Sequence, residues 1–158
     1  MESLLRAAAE IGGRLRTRGE TVAVAESSAG GLMAASLLAQ PGASAFFVGG
    51  AVAYTAAARE ALLGIQPADM DGIRPANEAY ALVLARQLRE RLGTTWGLAE
   101  TGASGPAGNR YGDAPGHSAF AVSGPFEASR TIETRSIDRW ANMLAFAEAA
   151  LALLGEKL

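Results

Sequence analysis

The sequence predicts an α/β fold with helices on both faces of a mixed sheet. Three observations predict it. Segments with apolar residues at helical spacing alternate with short β-rich runs along the chain. The last two β-rich runs are separated by a tight turn at Gly124-Pro125, so part of the sheet is expected to be an antiparallel hairpin. The 158 residues are 49% hydrophobic and 19% charged, which fits one globular domain over 1–158 with enough chain to bury a core.

The elements follow in order. Residues 3–18 read as a helix, because Leu4, Leu5, Ala8, Ile11 and Leu15 form one apolar stripe and Gly19 supplies the helix stop. Residues 21–25 are a short β-rich run, and residues 32–39 an apolar helix ended by Pro41-Gly42. Residues 46–54 read as a strand loosened at Gly49-Gly50. Thr55 is placed to cap a short helix over 56–63, which Gly64 closes. Residues 65–74 are loop, and Pro75 suits the first turn of a helix running to Leu92. A strand over 94–100 leads into a Gly/Pro-rich loop over 101–116. Strands over 117–123 and 127–135 precede a closing helix over 138–154.

Composition excludes much chemistry. There is no cysteine, hence no disulfide, thiolate metal site or cysteine nucleophile. The one histidine, His117, rules out HExxH and paired-histidine metal sites. The one lysine, Lys157, lies next to the carboxyl terminus, so there is no Walker A lysine and none available to an active site. No metal or cofactor is expected. A net charge of −2 argues against a nucleic-acid partner held by a basic surface. No apolar run is long enough for a membrane span, and Glu2 is unlike the basic start of a signal peptide, so a cytoplasmic location is expected.

In open α/β sheets ligands sit beyond the carboxyl ends of strands. Two loops fall there. In Glu26-Ser27-Ser28-Ala29-Gly30-Gly31, backbone N–H groups at a helix start suit a phosphate or oxyanion, and Ser27 or Ser28 can donate or act as nucleophile. The plain alternative is a serine cap and a glycine turn. In Thr101-Gly102-Ala103-Ser104-Gly105-Pro106-Ala107-Gly108, the backbone can wrap a ligand, the alternative being a flexible connection. Tyr54 at a strand end and Arg59 one turn into a helix form a weaker third candidate.

Together, in this order, these stretches resemble the C-terminal domain of the competence/damage-inducible protein CinA, a family that includes stand-alone nicotinamide mononucleotide amidohydrolases. The family reads A-E-S-C-T-G-G, where this chain has Ala25 through Gly31. It reads Y-S-N-E-A-K-x-x-L-L-G-V, where this chain has Tyr54 through Arg59 and then Leu62-Leu63-Gly64-Ile65. It reads T-G-I-A-G-P-x-G-G over Thr101 through Gly108, and G-D-R where Asp138-Arg139 precede the last helix. The resemblance implies a three-layer α/β/α sandwich with a mixed central sheet. It implies hydrolysis of the carboxamide of nicotinamide mononucleotide by a serine with lysine as base. Ser27 takes the nucleophile's position, with Tyr54, Thr101 and Arg139 at the other motif positions. Substrate contacts are expected from Glu26, Ser28, Gly30, Gly31, Gly102, Gly105 and His117. The implied partner is a pyridine nucleotide or related phosphate ligand. The resemblance also implies a homo-oligomer, with a dimer expected, and the chain's start at its first helix suggests the short, stand-alone form.

The motif lysine falls on Arg59. A guanidinium keeps its proton throughout the working pH range and cannot take another from Ser27. The sequence therefore predicts a diverged amidohydrolase with another base, for which His117, Glu26 and Glu100 are candidates, or a non-catalytic nucleotide-binding or interaction domain. His117 has the right intrinsic pKa, though an exposed or core-satisfied strand residue is its plain alternative. Other departures are Ser28-Ala29 for Cys-Thr, Arg74-Pro75-Ala76-Asn77-Glu78 for G-A-V-S-E, and Asp113-Ala114-Pro115-Gly116-His117 for K-P-V-G-T. Asp113 puts an acid where the family has a lysine, which is expected to disfavour a phosphate ligand.

Overall fold

A computed structural model describes residues 1–158. Five strands form one sheet in the order β2-β1-β3-β4-β5: β1 Val22–Glu26, β2 Phe47–Val52, β3 Trp96–Ala103, β4 His117–Ser123 and β5 Ala128–Glu133. β1 pairs in parallel with both β2 and β3, while β3–β4 and β4–β5 are antiparallel. The expected mixed sheet with helices on both faces is what forms.

The layering follows from alternation along the strands. Val22 and Val24 of β1 and Trp96 and Leu98 of β3 face one core, shared with helices α1 (Glu2–Arg18), α2 (Leu32–Leu38) and α5 (Arg139–Lys157). Ala23, Ala25 and Ala99 face the other, covered by α4 (Glu78–Leu92) through Tyr80, Leu84 and Leu88. Small residues on that second face let α4 lie close. A Cβ built on Gly97 would stand 2.1 Å from the carbonyl oxygen of Ala85. α1 buries Leu4, Ala8, Ile11 and Leu15, and Gly19 ends it at φ 64°.

Several boundaries differ from the sequence-based expectation. α4 starts at Glu78 rather than near Pro75, because the Asn77 side chain caps it by accepting from Tyr80 N at 2.8 Å. Thr101, Gly102 and Ala103 leave the predicted loop and extend β3, where they pair with Ala119, Ser118 and His117 of β4. The predicted helix over 56–63 divides into α3 (Ala56–Ala58), capped by Thr55 as expected, and a wide π-type turn, Arg59–Leu63. No helix is long and apolar enough to cross a membrane.

Candidate functional site

The chain leaves β1 for α2 on one face of the sheet, then runs from β2 to β3 through α4 on the other. The crevice at the carboxyl end of β1 is therefore a topological switch point, where such sheets place their ligands. β1, β2 and β3 are parallel, so Ser27, Tyr54 and Thr101 emerge at the same edge.

A cavity of about 760 Å³ opens there, and Ser27, Tyr54, Arg59, Thr101 and Gly102 all line it. Sequence reasoning did not single out Tyr80, Asn109, Arg110 or Tyr111, which complete the walls with Met70 and Ile73. A second cavity of about 320 Å³ adjoins it, sharing Tyr54, Gly102 and Asn109 and adding Ser28, Gly105 and Arg139. Arg139 joins the two: its Nη1 donates to the Gly105 carbonyl at 2.6 Å and its Nη2 to the Tyr54 hydroxyl at 3.3 Å. The only charged side chains lining either cavity are Arg59, Arg110 and Arg139.

Arg59 is the first residue of the π-type turn that continues the Thr55-capped α3, and its backbone N–H donates to the Thr55 carbonyl at 2.9 Å. It is 8% exposed, forms no ion pair, and its Nε has no hydrogen-bond partner. The Tyr80 ring lies 5.9 Å from the guanidinium carbon, a cation–π contact worth about 0.5–2 kcal/mol. That offsets only part of the cost of desolvating a charge. Burial pushes the Tyr80 hydroxyl above its ordinary pKa, against the pull of Arg59, so it stays protonated near neutrality.

Glu26, Gly30, Gly31 and His117 line neither cavity. The Glu26 carboxylate turns back into the fold and accepts from the N–H groups of Gly31, Met33 and Ala34 at 3.0, 3.1 and 2.8 Å. This corrects the reading of the Glu26–Gly31 loop as a phosphate cradle, since the chain's own carboxylate already holds these donors. Gly31 can present its N–H this way because it adopts φ 96°, a conformation open to glycine. Burial pushes Glu26 up to about 7, against those hydrogen bonds.

Glu100, at the middle of β3, is fully buried. It accepts from the Ala29 N–H at 2.7 Å, the Ser27 N–H at 3.3 Å, the Ser118 hydroxyl at 3.2 Å and the Ser28 hydroxyl. It therefore fixes the loop that presents Ser27. Burial raises its pKa and these hydrogen bonds oppose the rise. Neither Glu26 nor Glu100 opens on the cavity as a base for Ser27.

His117 is occupied at both ring nitrogens. Nδ1 meets the Glu133 carboxylate and Nε2 meets the Ala76 carbonyl at 2.7 Å, with Asp113 at 3.8 Å. A carboxylate and a carbonyl both accept, so the site favours the charged ring, which donates from both nitrogens. Burial opposes that charge, but Glu133, Ala76 and Asp113 outweigh it and raise the pKa above 6.5. The added stability is thus full below pH 6.5 and lost as pH rises through the folded value. Urea unfolding from pH 6 to 9 is expected to show a falling midpoint for the wild type and a flatter profile for His117→Gln. Glu26 titrates nearby in both proteins, so the difference between the profiles isolates His117. Parallel profiles would refute this account.

Asp113 does not face the ligand space as a free acid. Arg74 holds it in a two-pronged pair at 2.8 and 3.0 Å, and Asn109 donates at 2.8 Å. Two departures from the family pattern, Arg74 and Asp113, thus meet and cancel. The expectation that Asp113 repels a phosphate is corrected accordingly.

Known proteins place this geometry. Over 101 residues the chain is 48% identical to a CinA-like protein of Synechocystis sp., covering 64% of this chain and 24% of that one. Over 117 residues it is 41% identical to a CinA-like protein of Gloeobacter violaceus, covering 74% and 27%. It therefore spans about a quarter of the length of these curated relatives. A CinA superfamily protein from Klebsiella pneumoniae superposes with a TM-score of 0.90 at 25% identity, over 98% of this chain and 96% of that one. A competence/damage-inducible protein from Agrobacterium tumefaciens does so at 0.89 and 26%, over 98% and 94%. The CinA C-terminal domain model matches residues 5–158, and the chain belongs to that family.

Proposed function

We propose that this domain binds a pyridine nucleotide or a related phosphate-bearing ligand across the joined cavities and does not hydrolyse its carboxamide. One observation carries the reading: the cationic group that shares the cavity with Ser27 is the guanidinium of Arg59. A serine attacks an amide only as its proton leaves, and the acceptor must have a pKa near the working pH. Arginine does not meet that condition. Tyr80 is pushed the wrong way, His117 is doubly engaged, and the two buried glutamates hold backbone N–H groups. Binding is supported by the acid-free lining and by Arg139 beside the glycine loop.

The test is ammonia release from nicotinamide mononucleotide. The wild type is expected to stay at the uncatalysed background. Arg59→Lys restores a group that can be tuned to accept a proton, and a general base contributes about 10²–10⁴-fold. Arg59→Lys is therefore expected to raise release at least about 100-fold over the wild type, dependent on Ser27. Robust wild-type turnover abolished by Ser27→Ala would overturn the proposal.

A further inference from the structure

Two buried side-chain polar atoms in the chain lack a hydrogen-bond partner, Arg59 Nε and Ser104 Oγ. The two residues each belong to the wall of one of the adjoining cavities. Buried polar atoms are almost always satisfied, so a pair of exceptions singles out the walls of this crevice. The Nη1 and Nη2 groups of Arg59, which make no hydrogen bond within the chain and are not closed off, are left for a ligand.

The two atoms ask for different things. A hydroxyl can donate or accept. A guanidinium offers five donors and no acceptor, and it carries a full charge. Arg59 is more than nine-tenths buried, and no aspartate or glutamate lines the cavity to neutralise it. Its complement is a group made only of acceptors, planar and singly negative. We propose that Arg59 makes the larger cavity selective for a carboxylic acid over the matching carboxamide, the ligand's planar carboxylate meeting the guanidinium edge on.

A carboxylate presents two oxygens to the planar fork and forms charge-assisted bonds. A carboxamide presents one oxygen and an NH₂ group, whose donors would face the donors of Arg59. The walls around Arg59 suit a flat ring bearing such a group. Met70, Ile73 and Pro75 are apolar, and the rings of Tyr80 and Tyr111 stand in the same wall, the first against Arg59 and the second against Arg74 and Arg110. A phosphate dianion finds less here, because Arg59 is the one buried cation and Arg110 is exposed at the rim.

The inference rests on reading the crevice as a ligand site, and it names the chemical class held at the Ser27 end. Titration calorimetry at pH 7.5 compares two matched pairs, nicotinic acid mononucleotide against nicotinamide mononucleotide, and nicotinate against nicotinamide. Inorganic phosphate serves as competitor. The acid of each pair is expected to bind at least about 10-fold more tightly, since every factor of ten needs only a modest gain in bonding. Arg59→Gln is expected to abolish the preference, and Arg59→Lys to keep part of it with the charge retained. Circular dichroism reports whether each variant is folded.

Equal affinity for acid and amide, or a preference that survives Arg59→Gln, overturns the inference and leaves nucleotide binding intact. Displacement of nicotinate by phosphate at equal concentration also overturns it. Arg59-dependent binding of nicotinate without binding of either nucleotide sustains the inference and refutes the nucleotide reading. Binding of none of the four compounds refutes both.

Discussion

Glu100→Ala is expected to cost on the order of 3–5 kcal/mol of folding stability, a large part of what a domain of this size commonly has. The glutamate is fully buried and collects two backbone N–H groups and two hydroxyls. Alanine removes the only acceptor that reaches them all and leaves a space in the sheet's face. The N–H groups of Ser27 and Ala29 then lose their anchor, so the damage falls on the loop that aims Ser27 into the cavity. Urea denaturation gives the stability, and ligand affinity measured on the folded fraction gives the local effect. Glu100→Gln keeps the shape and one strong acceptor, and is expected to lose less than half as much. A loss under about 1 kcal/mol for alanine would mean that the cluster is not the anchor described here.

The second large effect belongs to Gly102→Ala. A Cβ there would stand 2.3 Å from the carbonyl oxygen of His117 and 2.9 Å from Ser118 Cα. Both atoms are backbone of the neighbouring strand, so relief requires β3 and β4 to part. Forced overpacking of this kind costs about 2–3 kcal/mol. The strain arises where Thr101 and Gly102 face the cavity, and ligand affinity is expected to fall with stability. Gly13→Ala is the control. It lies in α1 with no other residue within 4 Å of the added atom, and alanine in a helix gains up to about 1 kcal/mol. Comparable melting temperatures for wild type and Gly102→Ala would contradict the close approach.

Local pattern was enough for most elements. The stripe of Leu4, Ala8, Ile11 and Leu15 and the stop at Gly19 define α1 with no knowledge of its neighbours. The Thr55 cap and the left-handed Gly64 frame the segment that carries Arg59. Pairing was not legible in the same way. Gly102 and Ala103 read as loop by composition, and only the partner strand β4 makes them sheet. The site divides along the same line. Ser27, Tyr54, Arg59, Thr101 and Arg139 were picked out by motif and do converge on the joined cavities. Glu26, Gly30, Gly31 and His117 were picked out by the same motifs and face elsewhere. Their partners decide that, and Glu133 is 16 residues from His117 while Ala76 is 41 away. Glu100 lies 72 residues from Ser28, too far for any local signal to reveal it as the loop's anchor. The Asn77 cap fixes where α4 begins through the Tyr80 backbone N–H, but the Tyr80 ring reaches the cavity wall only through packing that no local pattern reveals.

Charge is unevenly shared in this chain. The whole carries −2, yet the side chains at the mouth of the crevice include Arg110 and Arg139, and the deeper wall adds Arg59. An anion drifting past a weakly negative body meets a local concentration of positive charge at the crevice. That asymmetry orients the encounter before any contact forms, and it acts on the rate of arrival more than on the time spent bound. At physiological ionic strength the field decays over about 8 Å, so the steering is felt only across the last few layers of water. In the proposed binding role, the crevice arginines would thus also decide from which side, and how often, an anionic ligand comes.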